Sequence, residues 1–179
     1  MTDQEILKMY REGGREEAFR LLVQTYKERL YWHIRRMVLD HDDTDDCLQN
    51  TFLKAWRSLA NFRGDAQLYT WLYRIATNET LTFLARQQTH GEYAGLDAAD
   101  RLPTDPWFDG DEVQTALHKA IAKLPPKQKA VFNLRYFEEM PYEKIADVLE
   151  TSEGALKASY HHAYEKVKTW MKEALDAKY

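Results

Sequence analysis

The sequence of 179 residues lacks long apolar runs and contains few residues that break helices. It has 7 glycines and 5 prolines, and apolar residues recur at spacings of three and four along most of its length. This pattern predicts an all-α fold. Because no apolar stretch approaches the roughly 20 residues of a membrane-spanning helix, no membrane segment is expected. The charged start MTDQEILKMYREGG argues against a signal peptide.

Cysteine is nearly absent, and so is any excess of positive charge. The single cysteine, Cys47, excludes an internal disulfide and suits a reducing cytoplasm. Its acidic neighbours indicate a packing residue rather than a reactive thiol. The net charge of −4 divides into zero over residues 1–88, −6 over 89–112 and +2 over 113–179. Since phosphate contacts supply most non-specific DNA affinity, such a chain either avoids DNA or relies on a partner with a basic surface.

Residues 141–170 contain two helical patterns separated by a short polar break. Ser152, after the break, is a good N-cap for the second helix. The second helix has an apolar face formed by Leu156, Tyr160, Ala163, Val167 and Trp170. Its opposite face is small, polar or basic and contains Ala155, Lys157, Ser159, His161, His162 and Lys166. The pair fits a helix-turn-helix that enters the major groove, or an ordinary helical hairpin with a solvated face.

Four helices are expected upstream, over residues 3–11, 15–38, 45–59 and 68–86. The third, capped by Asp43 or Thr44, is expected to bury one apolar stripe formed by Leu48, Phe52, Trp56 and Leu59. Its other face has helical spacing and consists of Asp46, Gln49, Asn50, Leu53 and Arg57. A leucine among polar residues fits either a protein contact or an ordinary solvated face.

A polar loop, residues 60–67, precedes the fourth helix. That helix opens with Tyr69, Trp71, Tyr73 and Arg74. Aromatic rings and arginine beside a polar loop suit stacking on unpaired bases. The same rings also suit a core in which Tyr69 is half buried, and composition alone favours the core. Asn78 lies within reach of the loop on a helical wheel and has donors and an acceptor for a base edge.

Residues 89–112 lose the helical period and gather Gly, Pro and Asp. They are expected to form a flexible acidic linker between two small helical domains, residues 1–88 and 113–179. As a relaxed coil, these 24 residues would span roughly 27 Å, and at most about 80 Å when extended. Helices are expected to resume at Val113, and Pro126 suits the first turn of another.

Two blocks together resemble the sigma-70 family of bacterial RNA polymerase sigma factors, specifically its extracytoplasmic-function (ECF) group. DDTDDCLQNTFLKAWRSLANFRGDAQLYTWLYRIATNET is similar to the promoter-melting domain two. LPPKQKAVFNLRYFEEMPYEKIADVLETSEGALKASYHHAYEKV is similar to domain four. The pattern FRG-D-x-x-x-YTWLYRIA-x-N is specific for the group. The resemblance covers nearly the whole chain and implies a transcription initiation factor without chemistry or a cofactor of its own.

The resemblance also implies where each partner binds. The clamp helices of core RNA polymerase would dock on Asp46, Gln49, Asn50, Leu53 and Arg57. The single-stranded −10 element would contact Asn61, Phe62, Arg63, Gly64, Asp65, Gln67, Tyr69, Arg74, Asn78 and Arg86. In that set the loop would hold a flipped base and Asn78 would line its pocket. The −35 duplex would contact Glu153, Ala155, Lys157, Ala158, Ser159, His161, His162 and Lys166. A dedicated anti-sigma factor is a further family expectation, and the polymerase would carry the basic surface that this chain lacks.

Several residues depart from the usual family pattern. Asn50 stands where glutamate is common, Glu150 where glycine usually forms the helix-turn-helix turn, and Thr151 at an often apolar position. Ser159 and His162 replace frequent arginines, and the basic cluster after the fourth helix is thin. No −35 sequence can therefore be transferred from the family.

Two other classes of function compete with this interpretation. A polymerase-independent helix-turn-helix regulator would bind duplex DNA alone. An enzyme would need convergent titratable groups, and the only dense set is the acidic segment 42–46, which has no histidine partner or metal-ligand pattern in the sequence. The adjacent His161 and His162 point about 100° apart on a helix and have no third ligand nearby, so no metal site is expected.

Overall fold

The computed structural model of the chain describes residues 1–64, 66–89 and 111–177. Within them it has eight α-helices and no strand. The helices are α1 (Asp3–Arg11), α2 (Arg15–Val38), α3 (His41–Ser58), α4 (Leu68–Thr89), α5 (Glu112–Ala122), α6 (Pro126–Tyr136), α7 (Tyr142–Leu149) and α8 (Glu153–Asp176), with a 3₁₀ turn at Leu59–Asn61. The predicted all-α fold is confirmed. Asp65 and most of the predicted linker lie outside the described residues.

Local capping explains where most of the helices begin. The Thr2 hydroxyl accepts from the Glu5 amide at 3.2 Å while the Glu5 carboxylate accepts from the Thr2 amide at 2.7 Å, a capping box. Asp111 caps α5 by accepting from two backbone amides, and Ser152 caps α8, as predicted, by accepting from Ala155. No described helix combines the length and apolar character needed to cross a membrane.

Helix α3 begins earlier than predicted, and this changes which face it buries. Its N-cap is Asp40, whose carboxylate accepts from the Asp43 amide at 3.0 Å, so the cap predicted at Asp43 or Thr44 is wrong. The acidic residues after Asp40 lie in the first turn, where the helix dipole favours negative charge. The buried stripe is one of small residues, namely Thr44, Cys47, Thr51 and Ala55.

Trp56, predicted to be buried, is 41% exposed, and Leu48 and Phe52 are only half buried. Of the predicted stripe, only Leu59 is buried. Helix α3 packs against both α2 and α4, and the small side chains of its buried face make these two helix contacts. The Thr51 hydroxyl is buried without penalty, since it donates to the Cys47 carbonyl at 2.7 Å.

Helices α1 to α4 form an N-terminal bundle, and α5 to α7 pack around α8 in a C-terminal group. In the first bundle α2 is central, with Leu22, Leu30 and Ile34 fully buried. The C-terminal group has a small core of its own, formed by Leu117, Ala120, Ile121, Leu124, Phe132, Ala163 and Val167. The first group lies within residues 1–89, and the second begins at Glu112.

The two groups also share a core. Helix α6 packs against α2 and α4, and α7 packs against α4. Val131, Ile145 and Val148 belong to the same buried cluster as Leu22 and Leu72. The C-terminal group therefore lies directly across one side of the N-terminal bundle.

Candidate nucleic-acid and polymerase interface

The polar face of α3 is a solvent-exposed surface, as predicted. Its members Asp46, Gln49, Asn50, Leu53 and Arg57 are all exposed. Leu53 is 48% exposed, and Trp56 on the same helix adds an apolar surface that the sequence analysis placed in the core. The Trp56 ring lies 5.1 Å from that of Phe19, so it rests on α2 with one side in solvent.

The loop before α4 is held by one aromatic contact. Phe62 is half buried and its ring centroid lies 5.2 Å from that of Trp71. Gly64 has φ of +83°, a backbone conformation that glycine adopts without steric cost. Asn61, Arg63 and Gln67 are exposed. The loop thus presents polar groups outward from an aromatic anchor.

A cleft of about 660 Å³ opens beside this loop. One wall consists of loop residues and Tyr69, and the other comes from α1 and α2, with Asp3, Tyr26 and Arg29. The Tyr26 hydroxyl donates to the Asp3 carboxylate, with both oxygens at 2.7 Å. The Arg29 guanidinium lies 5.5 Å from the Tyr69 ring centroid. Sequence reasoning missed the α1 and α2 wall, since its residues lie about 40 or more positions before Tyr69.

The aromatic residues at the start of α4 divide between core and surface. Tyr73 is fully buried, whereas Tyr69 and Trp71 are half buried. Burial raises the pKa of both Tyr69 and Tyr73 above that of a free tyrosine. The core interpretation therefore holds for Tyr73, and Tyr69 is the one of the three rings that lines the cleft.

Asn78 does not lie in the loop cleft. It is exposed, but it stands ten residues beyond the first residue of α4, about 15 Å along the helix axis. It lines a separate cavity of about 340 Å³, together with Lys127, Thr151, Ala155 and Ser159. The structure therefore brings Asn78 next to α8 and does not bring it to the loop. Arg86, near the end of α4, is exposed.

The outer face of α8 is largely exposed to solvent, although Lys166 donates to the Gln128 side chain at 3.2 Å and Ala155 and Ser159 line the cavity beside Asn78. Glu153, Ala155, Lys157, Ala158, His161, His162 and Lys166 are exposed and Ser159 is half buried. The opposite face is anchored by Leu156, Ala163 and Val167, which are buried. Lys157 lies 5.8 Å from the Tyr142 ring centroid. The turn between α7 and α8 and this polar face have the form expected of a helix-turn-helix.

Comparison with known families agrees with both halves of the structure. The family model "Sigma-70 region 2" matches residues 22–90, and "Sigma-70, region 4" matches residues 114–167. The RNA polymerase sigma-H factor of Pseudomonas aeruginosa is 32% identical, with 92% of this chain and 91% of that protein covered. This chain belongs to the sigma-70 family of RNA polymerase sigma factors. As in its relatives, its role is to direct RNA polymerase to promoters, and members of the family are initiation factors rather than enzymes.

Relatives of this sigma factor include members of the ECF group. The ECF RNA polymerase sigma-E factors of Haemophilus influenzae and Escherichia coli K12 are 29% and 28% identical, covering 93% of this chain and 94% and 93% of their own lengths. CnrH, solved in complex with the cytosolic domain of CnrY, matches with a TM-score of 0.71 at 24% identity over 99% of both chains. RpoE of Bartonella quintana, solved with the anti-sigma factor NepR, matches with a TM-score of 0.67 at 20% identity over 86% of this chain and 96% of its own. The two structures agree with the all-α fold.

The acidic start of α3 does contain a histidine, contrary to the sequence analysis. His41, Asp42 and Asp45 are the one group of described residues close enough together to share a metal ion, and all three are exposed. Both ring nitrogens of His41 already have partners, the Tyr31 hydroxyl at 2.5 Å and the Asp45 carboxylate at 3.3 Å. These contacts within the chain are enough to explain why the three side chains lie close together.

Cys47 of the sigma factor is a packing residue, as predicted. It is buried in the small-residue stripe of α3. Burial, together with the carboxylates of Glu79, Asp43 and Asp46, raises the pKa of its thiol to about 12. The thiol is therefore protonated and unreactive at neutral pH.

Proposed function

We propose that this sigma factor reads duplex −35 DNA with the outer face of α8 and captures the melted −10 strand at the loop before α4. The observation that carries the proposal is the loop cleft, which places the accessible ring of Tyr69 and the guanidinium of Arg29 around one cavity of about 660 Å³. A ring on one wall and a cation on the other suit an unstacked base and its phosphate.

The −35 contacts would come from the exposed side chains of α8. The helix begins at a capped N-terminus, so its first turns can enter the major groove. Each good base contact contributes roughly 1–3 kcal/mol of discrimination. Lys157 and Lys166 would add phosphate contacts. With Ser159 and His162 in place of arginines, hydrogen bonds from hydroxyl and imidazole groups would carry much of the readout.

Promoter opening would need no ATP. Unstacking a base costs a few kcal/mol, and contacts made only by the extruded base offset that cost. The sigma factor would therefore favour the separated strands by binding them and not the paired ones. Asn78 would contact the same strand further along α4, since the structure places it outside the loop cleft.

Core RNA polymerase would dock on the exposed face of α3. Leu53 and Trp56 provide apolar area there, and Asp46 and Arg57 provide opposite charges at its ends. The net charge of −4 supports a division of labour in which the polymerase supplies most phosphate contacts. We place the protein in the cytoplasm with the polymerase. Two proteins of this fold were solved with CnrY and with the anti-sigma factor NepR, and we infer an anti-sigma partner here as well.

Run-off transcription across a promoter library, with core polymerase and the purified protein, tests this function. We expect transcripts from a subset of promoters only when both proteins are present. In a parallel gel shift the isolated protein should bind duplex DNA weakly. Tight binding of intact duplex without polymerase, combined with no run-off product, would instead establish a polymerase-independent regulator.

A further inference from the structure

The surface proposed to meet the −10 strand is partly occupied by the C-terminal half of the same chain. Arg74 on α4 forms an ion pair with Glu150, in the turn between α7 and α8. Lys144 on α7 donates to the Gln67 side chain, and its ammonium lies 5.4 Å from the Tyr69 ring centroid. Three of the residues proposed to contact the melted strand therefore already have partners within the chain.

The start of α8 is involved in the same contact. Ala155 and Ser159, which are proposed to face the −35 element, line one cavity with Asn78 of the −10 surface. At about 340 Å³ the cavity is too small to admit a duplex, whose major groove alone is about 12 Å wide. In this arrangement the two DNA-binding surfaces face each other.

This arrangement cannot persist on a promoter. The −10 and −35 elements lie about two helical turns apart, roughly 70 Å at ~35 Å per turn. Arg74 and Glu150 are in contact here, so they cannot at the same time face DNA elements that far apart. The two halves must therefore separate before the promoter complex forms, an inference that rests on the function proposed above.

The contact between the halves is rich in charged and polar groups. Glu138, whose side chain is only 11% exposed, lies 3.8 Å from Arg29 and 3.9 Å from Arg36. Lys129 donates to the Met37 carbonyl at 3.2 Å. Asn133, one helical turn from Lys129, is buried, and its amide has no hydrogen-bond partner among the described residues. These groups regain water when the halves separate, which suits a contact that opens.

Glu150 stands out because its backbone does not favour glutamate. It has φ of +52°, in the left-handed region that glycine occupies without steric cost. The family usually has glycine at this position. The side chain that replaces it provides a carboxylate to Arg74, in the place where a DNA phosphate would otherwise bind.

We propose that Glu150 is an autoinhibitory latch, whose carboxylate holds Arg74 and keeps the C-terminal half across the −10 surface until polymerase separates the two. The ion pair between Glu150 and Arg74 is expected to stabilise the closed state only weakly. The two side chains are 46% and 64% exposed, so the ion pair shifts the balance of closed and open states by a factor of a few and is screened by salt. The apolar core that the two halves share provides the remaining stability of the closed state.

The test measures how often the full chain opens, with neither DNA nor polymerase present. A cysteine is placed at Val131, which is buried in the shared core and lines the Asn78 cavity. Its rate of thiol labelling then reports opening of the two halves. The native Cys47, buried within α3, reports unfolding of the N-terminal bundle in the same sample.

In the Val131→Cys background, Glu150→Gln should raise the labelling rate at position 131 about two- to fivefold and leave that at Cys47 unchanged. Glu143→Gln, which removes an equally exposed charge from α7, should change neither rate. Added salt should accelerate labelling of the parent protein but not of Glu150→Gln. Arg74→Glu should also accelerate it, and combining Arg74→Glu with Glu150→Arg should restore the slow rate.

An unchanged rate at position 131 in Glu150→Gln would overturn the latch, as would an equal rise at Cys47. Because the measurement omits DNA and polymerase, its failure leaves the proposed promoter function intact. Conversely, a failure of run-off transcription would refute that function while the labelling result stood.

Discussion

The two surfaces proposed to meet DNA differ in how far the free molecule presents them. The outer face of α8 is exposed from Lys157 to Lys166. The α4 surface contacts the C-terminal half at both ends, since Lys144 contacts Gln67 and Tyr69 near the loop and Glu150 pairs with Arg74 further along. The proposed −35 surface is thus mostly exposed in the free molecule, apart from Ala155 and Ser159, which face α4. The proposed −10 surface would become complete only after the halves separate.

This difference suggests an order of events in initiation. A surface that is already exposed can engage its partner first, whereas a covered surface waits for a conformational change. Opening of the interface would then be linked to polymerase docking on α3, which lies on the N-terminal bundle outside the contact between the halves. Such an order would keep contacts with single-stranded DNA from forming before a polymerase is present.

The largest expected effect comes from Asn78, at the centre of the covered surface. Asn78→Ala removes donors and an acceptor for the melted strand, and loss of such a contact lowers run-off from duplex templates by about ten- to a hundredfold. Templates with a pre-melted bubble should lose less, because opening is already accomplished. Thr82→Ala, exposed one turn further along α4, is the matched control. Equal loss on both templates would argue against a role in strand capture.

A second prediction concerns Lys129, which joins the two halves. Lys129 is 6% exposed and donates to the Met37 carbonyl, and burial lowers the pKa of its ammonium to about 8. The unfolded chain keeps this proton up to about pH 10.4. From pH 8 upward the native state releases the proton first, so the contribution of Lys129 to the free energy of unfolding rises with pH, by about 1–2 kcal/mol up to pH 9.5.

Urea unfolding between pH 7.5 and 9.5 measures this rise. Ionisation of Cys47 in the unfolded chain lowers stability in the same window, because burial raises the pKa of that thiol in the native state. The Lys129 contribution is therefore read as the difference in free energy of unfolding between Lys129→Met and Lys127→Met, an exposed neighbour, and this difference should change by about 1–2 kcal/mol across the window. The window ends below pH 10 because burial raises the pKa of Tyr26 and Tyr73, so ionisation of tyrosine in the unfolded chain lowers stability above that pH. A difference between the two variants that stays constant with pH would show that Lys129 does not titrate in this window.

Local rules were enough to predict most of the helices. Residues 3–11 and 15–38 are helical as predicted, and Ser152 caps α8, since periodicity and capping depend on neighbours within one or two turns. The prediction from local rules was wrong at α3. This helix begins earlier, after the cap at Asp40, and it buries a stripe of small residues instead of the expected large ones. A stripe of Thr, Cys and Ala carries little hydrophobic signal, so periodicity did not reveal it.

The covered surface could not be predicted from the sequence. It depends on contacts across 77 positions, between Lys144 and Gln67, and across 92, between Lys129 and Met37. No local pattern encodes such pairs. The departure at Glu150 was visible in the sequence, but its partner Arg74 was not. Family resemblance supplied the residues of the −10 surface, and only the fold showed which of them are occupied.

The prediction with the smallest expected effect concerns the exposed outer face of α8. Lys157→Gln removes one cation from the first turns of α8, and if that residue contacts a phosphate, the slope of log affinity against log salt for polymerase with this sigma factor on promoter DNA should fall by about 1. Affinity at moderate salt should fall only a few-fold. Lys172→Gln removes the same charge 15 residues further along the same helix, about 22 Å away, and should leave the slope unchanged. If Lys172→Gln changed the slope and Lys157→Gln did not, DNA would lie against the far end of α8, and the face that is ready in the free molecule would not be the one that reads the promoter.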